Sequence, residues 1–237
     1  MSTIAVVTAI TGGRDTLKQQ GRVEDADRIA FLDVEASCPG WTVRPACTAS
    51  PDPVRNARNH KVLLHRWLPE AEYSLWIDGN VTLTCESRLS TLVERYLRDA
   101  DLAVFRHRTR RCIYEEAAAC IAKGKDDAAV IERQVERYRE EGYPAFHGLA
   151  ETSVVLRRHS REMKAFCELW WGEIARGSRR DQLSFDYVAW KMGVRYACFP
   201  GTLAENGLCR RVRHDGGGAG GGPTGKLRSP GGKGPDR

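Results

Sequence analysis

Apolar positions along the chain fall into two patterns. Short, nearly continuous runs alternate with longer stretches in which apolar residues return every three or four positions. The runs Thr3 to Ala9, Arg28 to Asp33, Trp41 to Arg44, Ser74 to Asp78, Asp101 to Phe105, Thr152 to Leu156 and Val194 to Phe199 read as strands. Helical spacing covers Val54 to Trp67 and Leu89 to Arg98, and it places Ala128, Ile131, Val135 and Tyr138 on one face of a third segment. Met163, Phe166, Cys167, Trp170 and Ile174 form a longer apolar stripe. Strands alternating with helices predict an α/β fold with a mostly parallel sheet and helices on both faces. From Asp215 the pattern stops. Gly216 to Gly222 hold a single non-Gly residue, and Pro223, Pro230 and Pro235 follow without an apolar cluster. Such a segment buries too little surface to offset its ordering entropy. The expectation is one folded domain over residues 1–214 and a disordered tail over 215–237.

Composition narrows the partners. The 237 residues are 41% hydrophobic, enough for one domain with a real core. No run approaches the roughly 20 apolar residues of a membrane span, and the N-terminus lacks a basic segment and cleavage site, so neither a transmembrane segment nor a secretory signal is expected. The eight Cys are scattered, without Cys-x-x-Cys or paired His spacing. That argues against zinc and for reduced thiols in a cytoplasmic protein. The net charge is +6, of which the tail from Asp215 carries +2 through four Lys/Arg against two Asp. The remaining surplus suits a small anionic ligand. No basic run is interleaved with aromatics, so nucleic acid is not an expected partner.

The candidate chemistry gathers where strands end. Leu75 to Ile77 runs into Asp78, Gly79 supplies a turn, and Asn80 offers a second oxygen two residues on. Ligands of open α/β sheets bind at strand ends, and a carboxylate there suits a hard cation that also takes phosphate oxygens; a plain Asp-Gly turn is the competing reading. The first strand empties into Thr8-Ala9-Ile10-Thr11-Gly12-Gly13, either a nucleotide contact through Thr8 and Thr11 or a simple turn, and in neither case a dinucleotide or Walker loop. Asp33 ends the second strand, where it would reach a ribose or base or stand as an ordinary strand-end acid. Arg58 and Lys61 share a helical face and together would hold a diphosphate, unless that face is simply solvated.

Further along, Arg111, Tyr114 and Glu115 follow a strand end, as substrate-loop residues do. Glu115 and Glu116 are equally readable as first-turn acids of an Ala-rich helix. His147 to Thr152 leads into a strand, with Glu151 poised either as a base or as an exposed strand-entry acid. Ser178-x-x-Asp181 fits a capping box with Asp181 at the third helical position, which needs no chemistry. Trp170-Trp171 would stack on a sugar or, as Trp170's helix stripe suggests, pack in the core.

Several segments occur together in order: Arg58-x-x-Lys61, Trp76-Ile77-Asp78-Gly79, Tyr114-Glu115-Glu116-Ala117, Glu151-Thr152 through Arg157-x-His159, Trp170-Trp171-x-Glu173-Ile174, and Arg180-Asp181-Gln182-Leu183-Ser184-Phe185. This series, spanning about residues 3 to 200, resembles the glycosyltransferase-like family that includes plant turgor-regulation and mucilage-related proteins and has short bacterial members. The resemblance implies a GT-A-like nucleotide-diphospho-sugar transferase fold, with a sugar donor and a saccharide or other hydroxyl acceptor as partners. It implies a divalent cation, Mn or Mg, at an Asp-x-Asp motif, which Asp78 and Asn80 would supply here with one neutral oxygen in place of a carboxylate. It places Arg58 and Lys61, with Thr8, Thr11 and Asp33, on the donor side. Glu151, Asp181 and Gln182 would stand at the reacting centre, and Arg111, Tyr114, Glu115 and His147 would meet the sugar or acceptor.

Overall fold

The protein is described from a computed structural model, which covers residues 4–21, 23–84 and 88–213. The tail expected over 215–237 lies outside the described residues. A seven-stranded sheet is built from β1 (Ile4–Ile10), β2 (Asp27–Leu32), β3 (Thr42–Pro45), β4 (Tyr73–Ile77), β6 (Leu102–Arg106), β7 (Ala150–Arg158) and β8 (Ala197–Cys198), in the order β3-β2-β1-β4-β7-β6-β8. All its neighbours run parallel except β7, which is antiparallel to both β4 and β6. The remaining strands, β5 (Val81–Leu83) and β9 (Cys209–Arg211), pair with each other as a separate antiparallel ribbon. Sequence patterning misses this ribbon, whose two halves are three residues each and lie far apart in the chain. It also overextends the last strand, which is two residues long.

The helices are α1 (Pro53–Val62), α2 (Leu64–Trp67), α3 (Leu89–Tyr96), α4 (Ile113–Ala122), α5 (Ala128–Glu140), α6 (Arg161–Arg176) and α7 (Gln182–Met192). Local chemistry starts and stops them. Asp52 caps α1 by accepting from the Val54 N–H at 2.9 Å, with Pro53 in the first turn where its missing N–H costs nothing. Asp127 and Ser160 cap α5 and α6 in the same way. Gly193, at φ +66°, closes α7 in the left-handed conformation. The expected helix from Val54 to Trp67 breaks at Leu63, whose ψ of 31° separates α1 from α2.

The two sheet faces are covered differently. Ala5, Val7 and Ala9 of β1 point into a core closed by residues of α1, α2, α5, α6 and α7, among them Val62, Tyr138, Phe166, Trp170 and Phe185. Ile4, Val6 and Ile10 point the other way, as the two-residue period of a strand requires. There the cover is Leu89 of α3, the β5–β9 ribbon and loop residues such as Trp41 and Phe199. Helices therefore dominate one face, while ribbon and loops share the other. Trp170, fully buried, belongs to the core rather than to a sugar platform.

The chain runs outward from β1 through β2 to β3, then returns to place β4 on β1's other side. The crevice at the carboxyl ends of β1 and β4 is thus the switch point where open α/β sheets bind ligands. Because β7 runs backwards, its first residues reach the same edge.

Candidate functional site

A cleft of about 860 Å³ opens at this switch point. Asp78 stands at its floor, directly after β4, its N–H donating to the Ser153 carbonyl at 2.8 Å. The pairing of β6 with β7 slips here: Val104 opposes Val155, but Phe105 opposes Glu151. This bulge carries Glu151, Thr152 and Ser153 to the cleft. Adjacent to Asp78, Gly79 packs so closely that a Cβ would lie 2.9 Å from Ile10 Cγ1.

Two cations from α1 tie two carboxylates together. Lys61 Nζ lies 3.3 Å from Asp78 Oδ1 and 2.6 Å from Asp181 Oδ2, and its side chain is wholly buried. Arg58 reaches Asp78 Oδ1 at 3.5 Å through Nη1 and Asp181 Oδ1 at 2.8 Å through Nε. Trp76 Nε1 donates to Asp78 Oδ1 at 2.8 Å, and Thr152 Oγ1 donates to Asp181 Oδ2 at 2.8 Å. Burial pushes the Asp181 carboxyl up, but Arg58, Lys61 and Arg180 outweigh it and hold the group well below the usual carboxylate range. Asp78 is lowered in the same way, with Lys61 and Arg58 prevailing over burial.

Asp181 is therefore not the capping-box acid that its spacing from Ser178 predicts. Its side chain makes no capping hydrogen bond and turns to α1 instead, while Ser178 Oγ donates to Asp126 Oδ2 at 2.6 Å. The strength of two buried cations outcompetes a single backbone N–H.

The structure brings Thr11, Arg58, Asp78, Asn80, Glu151, Asp181 and Gln182 to the cleft wall, with Lys61 just behind. Gln182 Nε2 donates to the Ala150 carbonyl at 2.8 Å, and Asp186 accepts from the Ala150 N–H at 2.8 Å, so both backbone polar groups of Ala150, the residue before Glu151, are held by α7. Glu151 Oε1 accepts from Ser153 Oγ at 2.6 Å. Asp33 accepts from the Gly12 N–H at 2.6 Å and so braces the glycine turn. Thr8 faces away, buried within β1 among the core residues of the ribbon-covered face.

Four other candidates stand apart from the cleft lining. Tyr114 and Glu115 line a separate pocket, Arg111 is exposed with its N–H on Glu115 Oε2 at 2.9 Å, and His147 packs edge-on against Tyr143 at 5.6 Å. In their place the cleft recruits Arg14, Arg110, Lys123, Lys125, Arg179, Arg180 and Arg211, facing acids that include Asp15 and Glu116. Their scatter along the chain gives no local motif. A signal for one of them existed in the sequence: Arg180 opens the Arg180-Asp181-Gln182-Leu183-Ser184-Phe185 motif.

The carboxylate chemistry fits a hard cation in one specific way. Every described hydrogen bond or ion pair of the Asp78 side chain falls on Oδ1, and the residue borders the cleft. No group of three His, Cys, Asp or Glu among the described residues forms a metal cage. The fit is thus to an ion that accepts one carboxylate and completes its shell with phosphate oxygens and water, as Mg²⁺ does. Asn80 borders the cleft, only 3% exposed, with its carbonyl accepting from Val212 N–H at 2.8 Å.

The sequence model of the TOD1/MUCI70 glycosyltransferase-like domain matches residues 46–206, which include α1, Asp78, Glu151 and α7. The chain belongs to this family. The match begins after β3, so it is shorter at the N-terminal side than the motif series suggests. Two Arabidopsis thaliana relatives align with part of the chain. One, named a probable hexosyltransferase MUCI70, is 37% identical over 151 residues, covering 60% of this chain and 26% of the relative. The other, named alkaline ceramidase TOD1, is 28% identical over 148 residues, covering 58% of this chain and 32% of the relative. The chain spans about a quarter to a third of the length of these relatives. Their two names describe different reactions, so the family sets the domain type and not the chemistry.

Among solved structures, a glycosyltransferase involved in glycosylating the major capsid of PBCV-1 is similar at 8% identity and TM-score 0.44, covering 83% of this chain and 81% of its own. Mouse xyloside xylosyltransferase 1 is similar at 11% identity and TM-score 0.46, covering 84% and 85%. Likeness at that level is loose. The mostly parallel α/β architecture stands on the strand order, and the glycosyltransferase-like domain type on the family match.

Proposed function

We propose that the chain transfers a glycosyl group from a nucleotide-diphosphate sugar to a hydroxyl acceptor in the cleft between β1 and β4. The observation that carries this reading is the Arg58–Lys61–Asp78–Asp181 network at the floor of a cleft with a surplus of basic side chains. Breaking the bond from the anomeric carbon to the diphosphate oxygen leaves an additional negative charge on the leaving group. Preorganised cations aimed at such a charge stabilise the transition state more than the ground state. Arg58 and Arg180 supply that charge from the walls, and Lys61 supplies it from beneath. Asp181 keeps Arg58 and Lys61 in place, and its depressed pKa makes it a weak base.

Glu151 is the group assigned to the acceptor: it would accept the hydroxyl proton, with Ser153 and the doubly held Ala150 backbone fixing its position. Asp78, with Asn80 beside it, would hold a divalent cation, Mn or Mg, which would supply Lewis-acid stabilisation of the diphosphate. The same proposal places the protein in the cytoplasm, supported by free thiols at Cys38, Cys47, Cys112, Cys120, Cys167 and Cys198. The test is turnover of a panel of nucleotide-diphosphate sugars with Mn or Mg by wild type and Asp78→Ala. Donor-dependent turnover that Asp78→Ala abolishes is the expected result. Equal turnover in both proteins, or an activity that needs no nucleotide donor, overturns the reading.

A further inference from the structure

The first turn of α4 has two sides. Glu116 faces the cleft, while Glu115 and Tyr114 face a second pocket of about 490 Å³. Its other walls are Arg139 of α5 and residues of the loop that joins α5 to β7, notably Tyr143 and Phe146. Arg139 lies flat on Tyr114, with its guanidinium carbon 4.5 Å from the ring centroid. The loop is built at a cost. Phe146 is the one described non-Gly residue with a positive φ, at +58°, a conformation unfavourable for a bulky side chain. It is also 70% exposed, so the strain serves to hold an aromatic ring out in water. Left-handed strain of this kind persists where it has a use.

A second, independent oddity lies in the same wall. Tyr143 is 3% exposed, and its Oη is buried without a hydrogen-bond partner. Buried hydroxyls are almost always paired, and one without a partner calls for an explanation. A presented ring, an unpaired hydroxyl and the polar ends of Glu115 and Arg139 among the lining residues together describe a ligand with an apolar face and a polar edge. A pyranose ring is such a ligand: its C–H face stacks on an aromatic side chain and its hydroxyls bond to the rim. An acyl chain would need neither Glu115 nor Arg139.

We infer that this pocket binds a saccharide unit of the acceptor, one or more residues removed from the hydroxyl that reacts beside Glu151. The inference rests on the proposed transfer reaction for its biological sense, but its test does not depend on that reaction. Saturation-transfer NMR is run on wild type, Phe146→Gly and Phe146→Leu, with glucose, xylotriose, cellotriose, maltotriose and octyl glucoside as probes. UDP binding by calorimetry serves as the control for the cleft. At least one trisaccharide binds more tightly than glucose, and both substitutions weaken it on the order of tenfold, the range expected for losing one aromatic contact. UDP affinity stays unchanged. Phe146→Gly leaves the thermal midpoint unchanged or higher, because glycine adopts this backbone conformation without penalty. Trisaccharide binding that is indifferent to both substitutions overturns the inference. So does binding of octyl glucoside through its alkyl chain, or a dimer that dissociates when Phe146 is replaced. Absence of UDP binding in wild type would count against the nucleotide-sugar reaction alone, since the trisaccharide results judge the pocket by themselves.

Discussion

Two buried carboxylate clusters in this protein look alike until their oxygens are followed. Glu173 of α6 is fully buried and meets Arg176 at Oε1 and Arg137 at Oε2, with Tyr138 Oη donating to Oε2 at 2.9 Å. Both oxygens are taken, and Gln134 extends the network to the Tyr138 hydroxyl at 2.8 Å. In the cleft, Asp78 and Asp181 share two cations, yet the described contacts of Asp78 all fall on one oxygen, Oδ1. The first cluster is complete and joins α5 to α6. The second is complete only when something anionic or cationic arrives. Burial and ion pairing do not distinguish a binding site from a structural bridge; unspent capacity at the edge of a cavity does.

The largest effect that tests this contrast comes from Lys61. Lys61→Met removes one of the two cations on the buried Asp181 and a positive charge from the cleft floor. Turnover should fall by about 10² to 10³, as for loss of one preorganised donor. Stability should drop by ~3–5 kcal/mol in denaturant titration, because a buried carboxylate loses its partner. Unchanged turnover in the folded fraction would make the cleft cluster structural after all.

Glu173→Gln comes next. It should cost about 1–3 kcal/mol of stability through weakened hydrogen bonds at the buried side chain and leave the Kd for UDP unaltered. A change in that Kd would mean the two clusters are coupled, although they belong to different parts of the fold. Smaller is the effect of Asp78→Asn, which keeps the Trp76 and Lys61 contacts sterically possible. It should alter stability by no more than about 1 kcal/mol while abolishing any dependence of donor turnover on Mn or Mg.

Acid titration separates the contributions by pH. His60 is buried against Phe31 at 4.2 Å and accepts from the Cys47 N–H at 2.7 Å, and burial lowers its pKa from 6.5 to about 4. The unfolded chain therefore binds the proton first, and stability falls as pH drops from 6.5 towards 4. Asp181 has the opposite charge type with a depressed pKa, so its contribution is present above its unfolded value of 3.8 and is lost on further acidification. Thermal midpoints of His60→Phe should flatten the upper part of the curve, by ~1–3 kcal/mol at most. Lys61→Met should flatten the lower part.

Much of this architecture was legible from local pattern. β1 reads as a strand because all its residues are buried and seven in a row cannot be amphipathic. The Met163 to Ile174 stripe reads as α6 because its period matches a helix. What escaped has non-local causes. The β5–β9 ribbon joins residues 81–83 to 209–211, and neither half carries a pattern long enough to register. Local spacing misled at Ser178-x-x-Asp181, where the partner that wins, Lys61, is 120 positions earlier. The antiparallel sense of β7 was invisible for the same reason, although it decides that Glu151 rather than His159 reaches the cleft. Of the candidate site, the cleft residues on α1 and after β4 were picked out from motif and strand end. The division between cleft and second pocket was not, because it depends on which side of one helical turn Glu115 and Glu116 project.

The reversed strand also bears on how the protein is made. β3, β2, β1 and β4 form a contiguous parallel unit within the first 77 residues, with β4 at its margin. β7 must enter between β4 and β6, both synthesised before it. On the ribosome, where N-terminal parts fold first, the β4 margin stays an open hydrogen-bonding edge until residue 158 has emerged. Throughout that interval Asp78 has neither the Ser153 carbonyl nor the Asp181–Lys61 pair around it. A nascent chain stalled before β7 would thus expose a sticky sheet edge and possess no cleft at all.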